Sequence, residues 1–528
     1  MNRTARFAVI ERYLAALRQL GDMCAGGQSL RSLRSGALDL WMASDTRESN
    51  LWRDATLPDQ INALMKGDAA REKSAAHDDD AVCESVAPRG GSVRAVAAWL
   101  RALVHSLRRN AVPTLDAEVV FVQYWPTPPA GSPTPTPQAW RSPYFGALPA
   151  QLAASGVSVG FLHLHADGPA TIVPSTVRDA VRAVSTPQTR HALIADALSP
   201  KVWWRALTGW MTITRRLPTD RELARQITAD SDLAVLWRWW RGSLRRSVRG
   251  SHAVRAALLT EMFGAVVAAN RSTKLWVVAF EGQGWESCLA RQLDVGKCVW
   301  LPYVHTMMRP WDLRARAFLS EYRVEHLAIH GNHDRAELES LGVPLVEVEA
   351  LRYQHLAATK QPADIERKSP DARTWLIVSG GDCERSNTEL REFLTAMRRQ
   401  GVSRHLVARW HPQCVAPTDS SVAGVRFSTE PLQELVRHAD AAIMVGLASP
   451  LDSYLSGVPS CYLLDEAGLE MSPIEENAGH HAAASADDAV TWMLAAEQHR
   501  GFAAPVNDFF VIDEQLSRWM SVIKKLVR

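Results

Sequence analysis

TWLIVSGGD, at residues 374–382, is a short apolar run that leads directly into two glycines. A continuous apolar run of this length is typical of a strand that is buried on both faces, as in a parallel sheet. Residues 387–400 follow with the spacing of an amphipathic helix. The segment therefore predicts a strand–loop–helix unit. Its glycines lie at the carboxyl end of the strand, where α/β sheets bind ligands.

Similar units extend on both sides of this segment. In the second half of the chain, further strands are predicted at residues 326–331, 345–351, 405–410, 425–428, 441–445 and 460–464. The first half carries predicted strands at residues 118–124, 157–165, 275–280 and 298–304, and a helical insert at about 202–270. This alternation predicts an α/β protein built from parallel, doubly wound sheets.

The length of 528 residues exceeds what one hydrophobic core supports. We therefore predict two Rossmann-like domains, residues 1–318 and 319–528, with a cleft between them. The last predicted helix, residues 513–527, is amphipathic and is expected to pack back on the first domain.

Composition and charge exclude several classes of protein. The formal net charge of +2 gives no global field that would recruit nucleic acid. The seven cysteines form no CxxC pair or zinc-ligand spacing, so we expect reduced thiols and no metal site. The N-terminus lacks a secretory signal, and no uninterrupted run reaches the roughly 18 apolar residues of a membrane span. These features predict a cytoplasmic protein without a resident cofactor.

Two strand ends in the second half carry residues suited to a phosphate. Gly380 and Gly381 allow backbone N–H groups to approach an anion at a helix start, although a plain turn needs the same residues. Arg352 follows another predicted strand. Its guanidinium suits either a phosphate or a carboxylate of the other domain.

Two later loops add a histidine and a hydroxyl. His411 is followed by Pro412, which restricts the histidine to extended backbone geometry and so fixes the direction of its side chain. An imidazole in this place suits a hydrogen bond to a phosphate, and a satisfied surface histidine is the alternative. Ser449 precedes Pro450 at a predicted helix start, where its hydroxyl either holds an anion or caps its own helix.

The order of these residues along the chain resembles the nucleotide-sugar half of glycosyltransferase-B enzymes. The His-Pro pair and the later Ser-bearing helix start are most similar to bacterial transferases that use CMP-activated sugars, the sialyltransferase-like and Kdo-transferase-like enzymes. The resemblance implies that His411 and Ser449 contact the CMP phosphate and that transfer is independent of metal. Ala448 stands where those families often have a second hydroxyl.

The first half supplies a second resemblance, to a family of bacterial surface-carbohydrate (capsule and O-antigen) biosynthesis proteins. The motifs that carry it are YFGALP at 144–149, GFLHLH at 160–165, EGQGWE at 281–286 and PYVHT at 302–306. The two resemblances together cover most of the chain from about residue 115 onward. In the central motif, Gly282 stands where the family usually has Asn.

Transfer of a sugar to a hydroxyl group requires a base, because the acceptor hydroxyl has a pKa far above 7. Glu281 directly follows the predicted strand 275–280 and is the first candidate for the base or for binding the acceptor. Glu286 lies five residues later at a predicted helix start, where it also suits the helix dipole. His305 follows the strand 298–304 and is the third candidate.

The segment LWRWWRGSLRRSVR, at residues 236–249, contains three tryptophans and five arginines. Aromatic rings beside cations suit a membrane interface or an anionic glycan. A helix whose tryptophans fill the core while its arginines face water is the other interpretation, and the composition slightly favours it. If the segment is exposed, it predicts peripheral contact with the inner membrane and a lipid-linked acceptor.

These observations predict a glycosyltransferase that moves an ulosonic acid, Kdo-like or nonulosonic, from a CMP-sugar donor to a growing bacterial surface glycan. Three alternatives stay open. In the first, the donor is a UDP- or other NDP-sugar. In the second, the protein is a nucleotide-sugar epimerase of the same fold. In the third, it is a non-catalytic scaffold of a polysaccharide assembly complex.

Overall fold

A computed structural model describes residues 3–25, 28–32, 34–44, 57–66, 91–107, 111–125, 136–137, 140–165, 173–217, 220–228, 231–358, 372–411, 414–446, 448–464 and 472–528. Two parallel sheets with helices on both faces dominate these residues. The predicted α/β, doubly wound fold is therefore confirmed.

The sheet of the first domain has seven strands within the described residues. They are β1 (Val119–Trp125), β2 (Val159–His165), β3 (Thr189–Leu193), β4 (Leu275–Phe280), β5 (Val299–Val304), β6 (Leu327–Ile329) and β7 (Leu345–Glu347). Their spatial order is β7-β6-β5-β4-β1-β2-β3, and every pairing is parallel. Chain order therefore reverses between β1 and β4, which is the switch point where doubly wound sheets bind ligands.

Twelve described helices belong to this domain or to the helical layer on it. They are α1 (Arg3–Asp22), α2 (Leu57–Lys66), α3 (Gly91–Ser106), α4 (Leu148–Ala154), α5 (Ser175–Val184), α6 (Pro200–Thr214), α7 (Asp220–Ala224), α8 (Asp232–Arg249), α9 (Ser251–Ala269), α10 (Gly284–Gly296), α11 (Leu313–Glu321) and α12 (Asn332–Leu338). Strands β1, β2 and β4 are buried along nearly their whole length, which explains their continuous apolar sequences.

The second domain repeats the same topology with six strands among the described residues. They are β8 (Thr374–Ser379), β9 (His405–Arg409), β10 (Val425–Ser428), β11 (Ala441–Val445), β12 (Ser460–Leu463) and β13 (His480–Ala483), in the spatial order β10-β9-β8-β11-β12-β13. The helices that follow are α13 (Cys383–Arg399), α14 (Leu432–His438), α15 (Leu451–Leu455), α16 (Ala486–Ala496), α17 (Val506–Phe509) and α18 (Ser517–Val527). Here the switch point lies between β8 and β11.

The domain boundary predicted at residues 318 and 319 is wrong. Strands β6 and β7, which were expected to open the second domain, are the last two strands of the first sheet. A 3-10 segment, Leu351–Ala358, follows them and leads toward β8. Local periodicity identifies a strand but does not identify the sheet to which it pairs, because pairing is a long-range contact.

The C-terminal helix α18 packs on the first domain rather than on the second. Its Trp519 and Ile523 are buried against one face of the first sheet. Glu349, fully buried just after β7, accepts the backbone N–H groups of Arg518 at 2.7 Å and Trp519 at 3.0 Å. The carboxylate therefore satisfies N–H groups in the first turn of the helix and fixes the helix on the sheet.

The Trp- and Arg-rich segment 236–249 lies in α8, and its most buried tryptophan is a core residue. Trp240 is 1% exposed and its indole donates to Gln60 Oε1 at 3.0 Å. Trp237 and Trp239 are partly buried against the same core, whereas most of the arginines face solvent. The contacts favour the core interpretation over exposed aromatic rings at a membrane.

Helix α9 packs against α8, the helix that carries the Trp- and Arg-rich segment. Within the described residues it is the one helix long and apolar enough to cross a membrane by length and composition. More than half of its apolar window is buried inside the protein, and core helices of this kind pass the same test. The helix is therefore weak evidence for a membrane span.

Candidate active site

The turn after β4 is built around Glu286. This carboxylate is fully buried in the first turn of α10 and accepts the backbone N–H of Glu281 at 3.0 Å and that of Gly282 at 2.8 Å. Burial, and then the charge of Glu281, raises the pKa of Glu286 well above its usual range. Glu286 therefore positions the turn through these two hydrogen bonds.

Position 282 requires a glycine because the backbone of α11 passes close to it. The φ of Gly282 is +74°, and a Cβ atom on it would lie 2.5 Å from the Cα of Ala315 in α11. No other residue fits this contact without moving α11. This explains why glycine stands where the resembling family usually has Asn.

Glu281 lies at the centre of a charged cluster. Its carboxylate accepts from Arg314 at 2.8 Å and from the amide of Gln283 at 2.6 Å, and it lies 3.2 Å from Nε2 of His305. Burial alone would raise the pKa of Glu281, but Arg314 and His305 together hold it well below its usual range. A carboxylate whose pKa is lowered in this way is a weaker base than an ordinary glutamate.

His305 is brought to Glu281 by the neighbouring strand β5. The side chain is 7% exposed, and the ring of Tyr144 meets it edge-on at a centroid distance of 4.8 Å. Among the described residues, His305 Nδ1 has no hydrogen-bond partner. When Nε2 donates to Glu281, Nδ1 carries a lone pair, which is the arrangement of a carboxylate-oriented general base.

Sequence reasoning missed three members of this cluster. Arg314 lies on α11 and had no motif to mark it, whereas Gln283 and Tyr144 stand inside quoted motifs without an assigned role. Tyr144 is held beside the pair, and burial followed by the charge of Glu281 raises its pKa. Among the described residues, no group of His, Cys, Asp and Glu side chains is suited to a metal ion.

In the second domain, Gly380 has a packing role. Its N–H donates to the carbonyl of Val445 at 2.8 Å, and a Cβ atom on it would lie 1.8 Å from the carbonyl oxygen of Gly446. The loops after β8 and β11 therefore approach each other backbone to backbone. Because the Gly380 N–H already donates to Val445, it does not bind an anion. Gly381 is then the glycine of this pair for which anion binding stays a prediction.

His411 lies at the end of β9 beside this loop. Its backbone N–H donates to Ser379 Oγ at 2.7 Å, and its side chain is half-buried. Burial, and then the charge of Arg409, lowers the pKa of His411, so the ring is neutral near pH 7. Pro412 lies outside the described residues.

Ser449 precedes Pro450, the N-cap residue of the short helix α15, and its Oγ accepts from the backbone N–H of Leu451 at 3.5 Å. The residue is partly exposed, so both interpretations of its hydroxyl stay predictions.

A disulfide joins the loops that carry Gly381 and His411. Cys383 and Cys414 are bonded with a Cα–Cα distance of 5.2 Å, across a separation of 31 residues. The prediction that all cysteines are reduced is therefore wrong for this pair. No CxxC spacing marks this pair, because the two residues meet only when β8 and β9 pair side by side.

We expect Cys383→Ser to lower the free energy of unfolding by about 2–4 kcal/mol, because the bridge restricts the unfolded chain. Cys298→Ser, a cysteine outside the bridge, is the matched control and should change little. Without reductant, denatured protein should titrate at most five thiols per chain, since two of the seven cysteines are bonded. Titration of all seven before reduction would contradict the bridge.

Arg352, in the 3-10 segment between the domains, interacts electrostatically with groups at both switch points. Its side chain is exposed to solvent, yet Tyr353 and then Asp452 and Glu281 raise its pKa. Asp452 belongs to α15 of the second domain and also lies 3.4 Å from His355 of the 3-10 segment. Arg352 therefore lies in a cleft with groups of both domains around it.

An apolar cluster closes the base of this cleft. Met307, two residues after His305, is buried in one cluster with Tyr353 of the 3-10 segment and with Leu451 and Tyr454 of α15. The helix that follows the switch-point strand β11 thus packs against the loop that follows β5. This contact holds the carboxyl ends of the two sheets next to each other.

No family model matches the chain, and no curated protein matches it. Among solved structures, the UDP-GlcNAc 2-epimerase of Methanocaldococcus jannaschii, in complex with UDP-GlcNAc and UDP, is 9% identical with a TM-score of 0.42 and covers 78% of this chain and 100% of its own. The α,α-trehalose 6-phosphate synthase of Burkholderia multivorans is 10% identical with a TM-score of 0.37 and covers 78% and 96%. Likeness at this level assigns no activity. From the two strand orders and the cleft between their carboxyl edges, we assign the chain the glycosyltransferase-B architecture.

Proposed function

We propose that this protein is a glycosyltransferase that binds a nucleotide sugar on its second domain and an acceptor hydroxyl on its first. The observation that carries the proposal is the Glu281–His305 pair, which lies in the same cleft as Arg352. A carboxylate-oriented imidazole suits proton abstraction from a hydroxyl, and a guanidinium suits the phosphate of a leaving nucleotide.

His305 Nδ1 is buried in this structure, so the proposed reaction requires a movement that exposes it to the acceptor. Nδ1 then takes the proton of the acceptor hydroxyl as the hydroxyl oxygen bonds to the anomeric carbon of the donor. The bond between that carbon and the phosphate oxygen of the nucleotide breaks, and the nucleotide leaves with the electron pair. Glu281 stabilises the imidazolium that forms. Arg352, Gly381, His411 and Ser449 are the groups proposed to bind the donor.

For the donor we propose a CMP-linked ulosonic acid, Kdo-like or nonulosonic, and for the acceptor a surface glycan. The support for this finer assignment is the His-Pro pair followed by a Ser-bearing helix start in the sequence. A single phosphate leaves in this chemistry, so side chains and backbone groups suffice to carry its charge. A UDP- or other NDP-sugar is the competing donor on the same architecture.

Calorimetric binding of CMP, UDP and GDP to wild type and to His411→Ala tests the donor site. We expect selective binding of CMP, weakened in His411→Ala by about 1.5–3 kcal/mol, the range for a hydrogen bond to a charged group. His405→Ala is the matched control, because this exposed histidine lies at the opposite end of the same strand.

Preference for UDP or GDP would keep the architecture and contradict the CMP donor. Binding of none of the three nucleotides would contradict the enzyme and favour the scaffold alternative. Conversion of a nucleotide sugar into its epimer without any acceptor would favour the epimerase.

A further inference from the structure

Helix α3 exposes a continuous apolar stripe. Val96, Leu100 and Val104 are 57%, 57% and 52% exposed and lie four residues apart, so they share one side of the helix. Leu107, which follows directly, is 67% exposed. Contiguous exposed apolar surface of this kind marks an interaction site more often than isolated exposed residues do.

The neighbouring helix α6 extends this surface. Trp204 is 60% exposed and Met211, seven residues later on the same side, is 37% exposed. The two helices are fixed together by other tryptophans on their inner sides. The indole of Trp203 donates to the carbonyl of Trp99 at 3.0 Å, and the ring of Trp210 lies 5.8 Å from that of Trp99.

The charges on these two helices have one sign. Neither α3 nor α6 contains an aspartate or a glutamate, and their cations are Arg94, Arg101, Lys201 and Arg205. All four are exposed. A carboxylate of a neighbouring helix, Glu261 of α9, interacts electrostatically with Arg205. Exposed apolar side chains with basic flanks and no acidic ones are typical of helices that lie at an anionic membrane surface.

We propose that the outer face of α3 and α6 docks this protein on an anionic phospholipid surface. The apolar side chains enter the headgroup region, Trp204 takes the interfacial position that its ring favours, and the cations pair with lipid phosphates. Charge also argues against a second copy as the occupant, because a symmetric contact would bring the same cations opposite each other. The surface is distinct from the Trp- and Arg-rich segment of α8, whose Trp240 is buried.

The test is co-sedimentation of the full chain with vesicles of phosphatidylcholine, with and without phosphatidylglycerol. We expect binding to the anionic vesicles that weakens as salt rises. The double variant Leu100→Glu/Trp204→Glu changes only exposed side chains and should weaken binding by roughly tenfold or more, since it removes apolar contact and adds repulsion. Val295→Glu, at a 69% exposed valine of α10, is the matched control and should bind as wild type.

Three results would overturn the proposal. One is the absence of binding to anionic vesicles, and another is an equal loss of binding in the control variant. The third is a concentration-dependent dimer in light scattering that the double variant dissolves, which would make a second copy the occupant. Circular dichroism of the double variant separates lost binding from lost folding.

Discussion

His305→Ala is expected to lower kcat by roughly 10²–10⁴-fold, the contribution typical of a general base, while nucleotide affinity stays close to wild type. The loss falls on kcat because the histidine acts on the acceptor proton and the nucleotide binds on the other domain. The measurement is the release of nucleotide from its sugar, with the donor that calorimetry selects. His326→Ala, a partly buried histidine of the same domain outside the cluster, is the control.

Glu281→Gln tests the division of roles within the pair. If His305 is the base, the amide variant keeps some activity, because its Oε1 still accepts from His305 Nε2 although the charge that stabilises the imidazolium is lost. Wild-type Glu281 stays ionised to low pH, since Arg314 and His305 hold its pKa well below the usual range. The rate of nucleotide release from its sugar measures the loss. Full activity in Glu281→Gln, or in His305→Ala, would contradict this division of roles.

The sequence predicted where Glu281 and His305 lie in the fold, whereas their contacts could be read only from the structure. Glu281 and His305 each follow an apolar strand, so both were placed at the carboxyl edge of one sheet, and the structure brings them within 3.2 Å. The sequence did not show that β4 and β5 are neighbours, nor that Arg314 reaches back to the same carboxylate. Because of those contacts we propose Glu281 as the partner of a base rather than as the base itself.

The second domain shows the same limit. The glycines after β8 were predicted to bind an anion. Position 380 requires a glycine because a Cβ atom there would collide with the carbonyl of Gly446, which follows a strand more than sixty residues later. The bridge between Cys383 and Cys414 also depends on two loops that only the sheet brings together. Local patterns identified which residues lie in loops. What those residues contact is decided by strand pairing, which no local pattern contains.

Gly282→Ala is expected to lower the free energy of unfolding of the first domain by roughly 2–5 kcal/mol. A left-handed backbone costs a residue with a Cβ about 1–2 kcal/mol, and an overpacked contact costs about 1–3 kcal/mol more. The Cβ would meet the backbone of Ala315, which adjoins Arg314, so whatever folds should also lose activity as the partner of Glu281 shifts. Urea unfolding and the nucleotide-release rate measure the two effects.

Gly156→Ala is a control that measures the cost of backbone strain without a steric collision. Gly156 has a φ of +86°, and a Cβ atom on it would meet nothing within 4 Å, so its substitution should cost only the backbone strain of about 1–2 kcal/mol. Gly282→Asn would restore the motif of the resembling family, and Asn adopts the left-handed region more readily than Ala does. Its Cβ still collides with α11, so we expect it to destabilise the domain as well. Equal losses of unfolding free energy in Gly156→Ala and Gly282→Ala would show that α11 moves aside for the Cβ atom at no cost. The turn would then not depend on the contact between Gly282 and Ala315.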